Sequence, residues 1–381
     1  MTSMTGRSLL AALLLPSLVG AATVDDAAAV ATHGLRSTVS HLAGNGLQGR
    51  DNGTPSSLTA QTYLIRRLRR LGQPLGTGGV GDAAFKQPFT FGNPVQQGAN
   101  LLAVIPGTDL ANEYVIVGAH FDHLDTRSDA AGHCRANGAA GGAVCNGATD
   151  NAAGTAAVLA IGRALRSMPT PPRRSVVLAL WDAEEDGLQG SFYYVNHPVV
   201  PIGQTVAYVN FDILGATLVP SLRNVSFAVG AETGGATLQG IVQDAAAAQT
   251  LDLVGFTYLF GQLRSDYANF ISAHVATVFF SDSTGGCYHT TGDDLSVVNL
   301  PKFRQQSAVG LRVVAALAKQ SNGVDDAVGG VAKLVCQAGG EGGERRQLFG
   351  AVEADRQVTH AQLRPHPSLQ LVGVERLEHV V

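Results

Sequence analysis

Apolar residues recur along the chain with two different periods, and the alternation between them is the first structural signal. Residues 59–71 (TAQTYLIRRLRRL) place Tyr63, Leu64, Leu68 and Leu71 at helical spacing, and Gly72 supplies a stop. They sit within a stretch, 24 to about 75, that reads mostly as helix. Residues 85–91 and 100–105 read as strands, followed by a turn at Pro106-Gly107. Beyond the turn the types alternate. Short apolar runs predict strands at 114–117, 175–181, 205–211, 225–229 and 275–280. Helical patterns occupy 151–166, 237–248 and 301–319, the last with Pro301 near its start. Continuous apolar strands interleaved with helices are buried on both faces. The expected fold is α/β, with a mixed, largely parallel central sheet flanked by helices.

The two ends depart from this pattern. Residues 1–22 carry Arg7, an apolar run at 9–18 and the small residues Gly20, Ala21 and Ala22, the order of a secretory signal peptide. That run is too short to span a bilayer with ease, and no later stretch is long and apolar enough. The expectation is export, to a secreted or periplasmic location, with no membrane association. Residues 337–381 open on a Gly-rich linker and continue as a charged, weakly patterned tail that is expected to be disordered. Between these ends, 23–336 forms one domain. A composition of 45% apolar and 15% charged residues suits a compact enzyme, and a net charge of −4 offers no basic footprint for nucleic acid. Four cysteines in an exported chain suggest disulfides and allow three pairings. In one of them Cys134–Cys145 staples a Gly/Ala-rich loop and Cys287–Cys336 ties the C-terminal region back.

Candidate chemistry gathers at the ends of the predicted strands. VIVGAHFDHLD puts His120 and Asp122 just past one, and VVLALWDAEEDG puts Glu184 and Glu185 past another. AYVNFDILG ends a third at Asp212, CNGATDNAAGTAA sets Asp150 at a helix start, and GGCYHTTGDD carries His289 in a loop. In open α/β sheets such positions converge on the crevice outside the carboxyl ends of the strands. Two imidazoles and three carboxylates suit zinc, and also manganese or cobalt. Asp150 can bridge, because a carboxylate offers one oxygen to each of two ions. Of the paired glutamates, one can bind metal while the other takes a proton from the attacking water. Asp122 lies within reach of the second ring nitrogen of His120 and would fix its tautomer. Alone, an HxD or a Glu-Glu pair is ordinarily solvated surface; the order of all five segments carries the argument. His123, His133, His197 and His274 are assigned to surface or core roles.

Taken together, LQGRDNGT, the HFD segment, TDNAAGTAA, AEEDGLQGS, NFDILG, RSDYANF and YHTTGDD resemble the M28 peptidases of the zinc exopeptidase clan, over roughly residues 47–319. The resemblance implies a zinc exopeptidase (phosphorylase/hydrolase-like) fold and an aminopeptidase with two zinc ions. One zinc would be held by His120 and Asp212 and the other by Glu185 and His289, with Asp150 bridging. Glu184 would be the general base, Asp122 would orient His120, and Tyr288 would help polarise the scissile carbonyl. Substrates would be peptides or proteins with a free N-terminus. Ser265-Asp266-Tyr267 departs from the commoner Ser-Asp-His form. The alternatives are a carboxypeptidase of the same clan and a glutaminyl-cyclase-like acyltransferase with one zinc. The M20 type normally inserts a dimerisation domain before its last histidine, for which the stretch between Asp212 and His289 leaves too little room. A non-catalytic relative would be expected to have lost ligands, and none is missing.

Overall fold

Residues 34–126, 134–137, 143–258 and 264–320 are described by a computed structural model of the chain. The expected signal segment, the linker and tail, His133 and Cys336 lie outside these residues.

Every residue of strand β5 (Arg174–Trp181) is buried, six of them the apolar run 176–181, and it lies in the interior of the sheet. Its neighbours are β4 (Leu110–His120), parallel to it, and β3 (Gln96–Ile105), antiparallel. Beyond β4 follow β6 (Thr205–Phe211) and β9 (Thr277–Ser281), both parallel. Then come β7 (Val225–Val229), antiparallel to β9, and β8 (Asp252–Phe256), parallel to β7. At the other edge, β1 (Gln73–Pro74) and β2 (Lys86–Phe91) both pair with β3. The mixed sheet with a parallel centre is the one expected.

Strand alternation divides the core between the two faces. Val176, Leu178 and Leu180 of β5, Val115 and Val117 of β4 and Val209 and Phe211 of β6 face one cluster. It is completed by α1 (Leu35–Leu42), α2 (Pro55–Leu68), α3 (Gly154–Ser167), α5 (Gly235–Ala247) and α7 (Leu300–Lys319). Val177, Ala179 and Trp181, Ile116 and Tyr208 face the other, beneath α4 (Gln189–Asn196) and α6 (Tyr267–Ser272). Each fully buried large apolar side chain contributes about 1.5–3 kcal/mol. A one-residue register slip would exchange the faces of a whole strand, so the register is firmly set. On the aromatic side Trp181 Nε1 donates to the Tyr208 hydroxyl at 2.8 Å, and Tyr208 donates to Asn210 at 2.5 Å. A Cβ on Gly118 would stand 2.8 Å from Trp181 Nε1 and 2.9 Å from the Tyr208 oxygen, so glycine there leaves room for the pair.

The structure shifts some boundaries. Helix α2 begins at Pro55, ahead of the expected residue 59, because Thr54 caps it by accepting from Ser57 N at 3.1 Å and proline suits the first helical position. Helix α3 begins at Gly154, because Asp150 (φ −115°, ψ 94°) and Asn151 (φ −133°, ψ 42°) are not helical. The expected helical stretch before 75 divides into α1, a tight irregular turn over Asn45–Arg50, and α2. The sequence pattern missed β8, α4 and α6, which are short. Among the described residues no helix is long and apolar enough to cross a membrane.

Candidate active site

Three adjacent parallel strands deliver their ends to one rim. His120 is the last residue of β4, Asp212 follows β6 directly, and Glu184 and Glu185 lie on the turn after β5. Asp150 arrives from the segment before α3, and His289 from the loop beyond β9. Ala183, Ile213 and His289 hold φ of 56°, 55° and 54°, the left-handed region that costs non-glycine residues of order 1–3 kcal/mol. One of these is a candidate ligand and two are next to carboxylates of the rim, so the strain sits where side chains must be aimed.

The five expected ligands meet around Asp150. His120 Nε2 lies 3.2 Å from Asp150 Oδ1 and 3.3 Å from Asp212 Oδ1. His289 Nε2 lies 3.2 Å from Asp150 Oδ2 and 3.1 Å from Glu185 Oε2. One oxygen of Asp150 therefore faces each half of the site. Ligand atoms about 2.0–2.1 Å from a tetrahedral zinc stand about 3.3 Å apart, so both halves have the right spread. His289 Nε2 is buried and makes no hydrogen bond, although two carboxylate oxygens are close to it. That arrangement serves a shared cation better than a shared proton, and the residues fit the metal that the ligand types suggest. Glu184 is set back, with Oε2 3.8 Å from His120 Nε2.

Backbone and side-chain contacts hold these groups in place. His120 Nδ1 is 3.2 Å from the carbonyl of Asp122 and 3.6 Å from its carboxylate, too far for a hydrogen bond. The backbone carbonyl of Asp122 thus meets the ring directly, with its carboxylate Oδ1 just beyond it, while the other carboxylate oxygen, Oδ2, accepts from Glu185 N at 3.1 Å. Asp293 accepts from Thr149 N and Asp150 N, and Asn151 bridges Phe211 O and Gly154 N. A further residue emerges in His123, fully buried, whose Nδ1 stands 2.7 Å from Glu185 Oε1. It is buried, one of the two placements, surface or core, expected of it, and it also meets a candidate ligand. The HFDH tetrapeptide was the available signal, since residues 120 and 123 both lie on the short segment leaving β4. Of the other histidines, His197 and His274 are exposed and away from the rim.

Among the protein groups alone, burial dominates the electrostatics. Burial raises the Glu184 carboxyl well above the usual range; the His120 charge opposes this, and Glu185 and Asp212 add to it. Burial also pushes Glu185 up, but His123 and His289 more than offset it and bring it to about 2. The two glutamates are driven apart, Glu184 upward and Glu185 downward, as for a proton-transfer group beside a candidate ligand. Tyr288 is raised by burial and by the neighbouring carboxylates, which keeps its hydroxyl a donor. Its ring stacks on His289 at 3.8 Å between centroids.

A cleft opens on Asp150, Glu184, Asp212 and Tyr288. Ile213, Phe227, Val229 and Phe279 form an apolar side of it, and Arg264, Ser281, Ser283 and Thr284 also line it. The loop that carries His289 is tied to the segment behind the Cys134–Cys145 disulfide. Arg135 N donates to His289 O at 2.9 Å and Arg135 Nη2 to Tyr288 O at 2.8 Å. Cys134–Cys145 is one of the suggested pairs; Cys287 is a free thiol among the described residues, and Cys336 lies outside them.

The chain resembles solved structures and curated proteins. LapA aminopeptidase of Legionella pneumophila superposes with a TM-score of 0.61 at 17% identity, over 83% of this chain and 81% of that one. BSAP, a zinc aminopeptidase of Bacillus subtilis, gives 0.57 at 16%, over 77% and 97%. Likeness at such identities speaks for the fold. Leupeptin-inactivating enzyme 1 of Streptomyces exfoliatus is 30% identical over 208 residues, 54% of this chain. The chain spans only 41% of that relative's length. The sequence model of Peptidase family M28 matches residues 100–314, more than half of the chain and every residue placed on the rim above. The chain belongs to peptidase family M28.

Proposed function

We propose that this protein is an exported zinc aminopeptidase, which removes N-terminal amino acids from peptides with two zinc ions. The observation that carries the reading is the division of Asp150, with Oδ1 towards His120 and Asp212 and Oδ2 towards His289 and Glu185. A carboxylate placed so has a distinct partner set on each oxygen, as a bridge between two cations requires. Bound zinc supplies a water acidified to near neutrality and polarisation of the scissile carbonyl.

The chain's own residues do the rest. Glu184 faces the cleft, and its raised affinity for protons suits it to take one from the attacking water and pass it to the leaving amine. Tyr288 stays protonated and donates to the oxygen that gains charge. The apolar wall of Ile213, Phe227, Val229 and Phe279 accepts an apolar side chain beside the scissile bond. Export through the N-terminal segment agrees with the Cys134–Cys145 disulfide, which an oxidising compartment favours. A carboxypeptidase reading gains something from Arg264, a cation in the cleft wall able to meet a terminal carboxylate.

One experiment separates these readings. A leucyl peptide with a free N-terminus, its acetylated twin and its C-terminally amidated twin are offered to wild type and to Glu184→Gln. The expected result is cleavage of the free and amidated peptides by wild type alone. The variant should keep its zinc and lose about 10²–10⁴-fold in turnover, the range for a positioned acid–base group. Cleavage of the acetylated but not the amidated peptide would transfer the assignment to a carboxypeptidase.

A further inference from the structure

Arg50 is fully buried, and among the described residues no carboxylate binds it and its guanidinium donates to carbonyls alone. Nε reaches Phe121 O at 2.8 Å, Nη1 reaches Leu42 O at 2.8 Å and Asn146 O at 2.6 Å, and Nη2 reaches Gly147 O at 3.1 Å. Phe121 lies between His120 and Asp122, and Asn146 and Gly147 open the segment that carries Asp150. One planar group therefore ties together the two segments that bring ligands to the rim, and joins both to the end of α1.

The backbone beneath it is built for this position. Gln48, Gly49 and Arg50 all have positive φ, at 44°, 81° and 65°. A Cβ on Gly49 would stand 1.6 Å from Leu124 O and 2.7 Å from Cys145 O, so the turn is wedged between the same two segments. Burying a guanidinium costs several kcal/mol unless its surroundings compensate. Here the compensation beyond the carbonyls comes at a distance, from Asp122, Asp150, Asp293 and Glu185. Burial lowers the proton affinity of Arg50 only to about 10, so it stays charged at neutral pH.

We propose that Arg50 is a positioning residue for the metal centre, clamping the His120–Asp122 and Asp150 segments at one spacing and supplying the fixed positive charge that lets their carboxylates crowd together. The proposal rests on the metal reading given above. Lysine would not replace it: an ammonium has three donors at one point, whereas these carbonyls are reached by a planar fork.

The test compares full-length wild type, Arg50→Lys and a control, Arg174→Lys. Arg174 is also buried and also donates to carbonyls, those of Leu317 and Gln320, but sits at the opposite end of β5. Zinc affinity is measured by chelator competition, and Tm with and without zinc. Arg50→Lys is expected to weaken zinc binding by about tenfold or more, in the range for partners that orient ligands, while Arg174→Lys leaves it within about twofold. Unchanged zinc affinity in Arg50→Lys, with Tm lowered equally with and without zinc, would make Arg50 a core staple and overturn the proposal. Wild type that takes up no zinc would remove the metal reading itself. Should Arg50→Lys not fold, hydrogen exchange on wild type decides. Coupling is reciprocal, so zinc removal should expose residues 47–50, which hold no ligand, together with 121–124 and 146–150. Exchange at 47–50 indifferent to zinc would overturn the proposal.

Discussion

The two halves of the rim are built differently. His120 ends β4 and Asp212 follows β6, and their side chains are 1% and 6% exposed. Both inherit the rigidity of paired, buried strands. His289 stands on a loop, its side chain 21% exposed, and is held chiefly by another loop through Arg135. Its partner Glu185 lies on a turn and leans on His123. A sheet-borne half and a loop-borne half sharing Asp150 should differ in how firmly each holds a cation, because loops open at lower free energy than strands.

Removing one candidate ligand from each half should have the largest effect. Chelator titration of wild type is expected to release two zinc equivalents in two steps, the loop-borne one first. His289→Ala should abolish the weaker step and leave the tighter one. Asp212→Ala should weaken the tighter step by more than about 100-fold, beyond the cost of losing an outer partner. Release of both equivalents in one step from wild type would erase the distinction between the halves.

A gentler cut sharpens it. The Cys134–Cys145 bridge closes a short loop, with a sequence separation of 11, and Arg135 reaches from it to the His289 backbone. Loop-closure entropy gives such a bridge roughly 3 kcal/mol. The C134S/C145S variant is expected to lose about that much stability in denaturant titration and to release the loop-borne zinc faster, with the sheet-borne zinc unaffected. Equal acceleration of both would mean that the bridge supports the whole domain and not one half.

The same contrast explains what the sequence disclosed. Strands β6 and β7 match their expected spans, because short runs rich in β-branched and aromatic residues favour strand. The ligands on or directly after strands were legible for the same reason: a carboxylate or imidazole after such a run has only the rim to occupy. What depended on one loop meeting another was not legible. The HFDH spacing places His123 near the rim but does not name Glu185 as its partner, and nothing in LQGRDN reveals a guanidinium among carbonyls of residues 42, 121, 146 and 147. The half-exposed edge strand β8 was missed because it lacks the apolar run that marked the others. Helix α3 was drawn three residues early, because the Ala-rich pattern continues through a segment whose backbone turns to present Asp150.

Charge crowding is the smallest effect, and it too belongs to the loops. Asp51, beside the clamp, is pushed up to about 7 by burial first and then by Asp186, on a turn after β5, and Asp125 and Asp122, on the segment leaving β4. The folded chain therefore keeps the Asp51 proton to higher pH than the unfolded chain, whose ordinary value is 3.8. Between about pH 4 and pH 7 the folded state binds more protons, so stability falls as pH rises across that window. Asp51→Asn removes the charge and should flatten that part of the profile. The variant is expected to match wild type near pH 4 and to exceed it near pH 8 by on the order of 1 kcal/mol, since solvent screens the partly exposed group. Chemical denaturation across the range measures it. A variant less stable than wild type at pH 8 would show that the Asp51 carboxylate is held by attraction, and that the loop-borne side of the rim is less strained by its own charge than the burial of these acids implies.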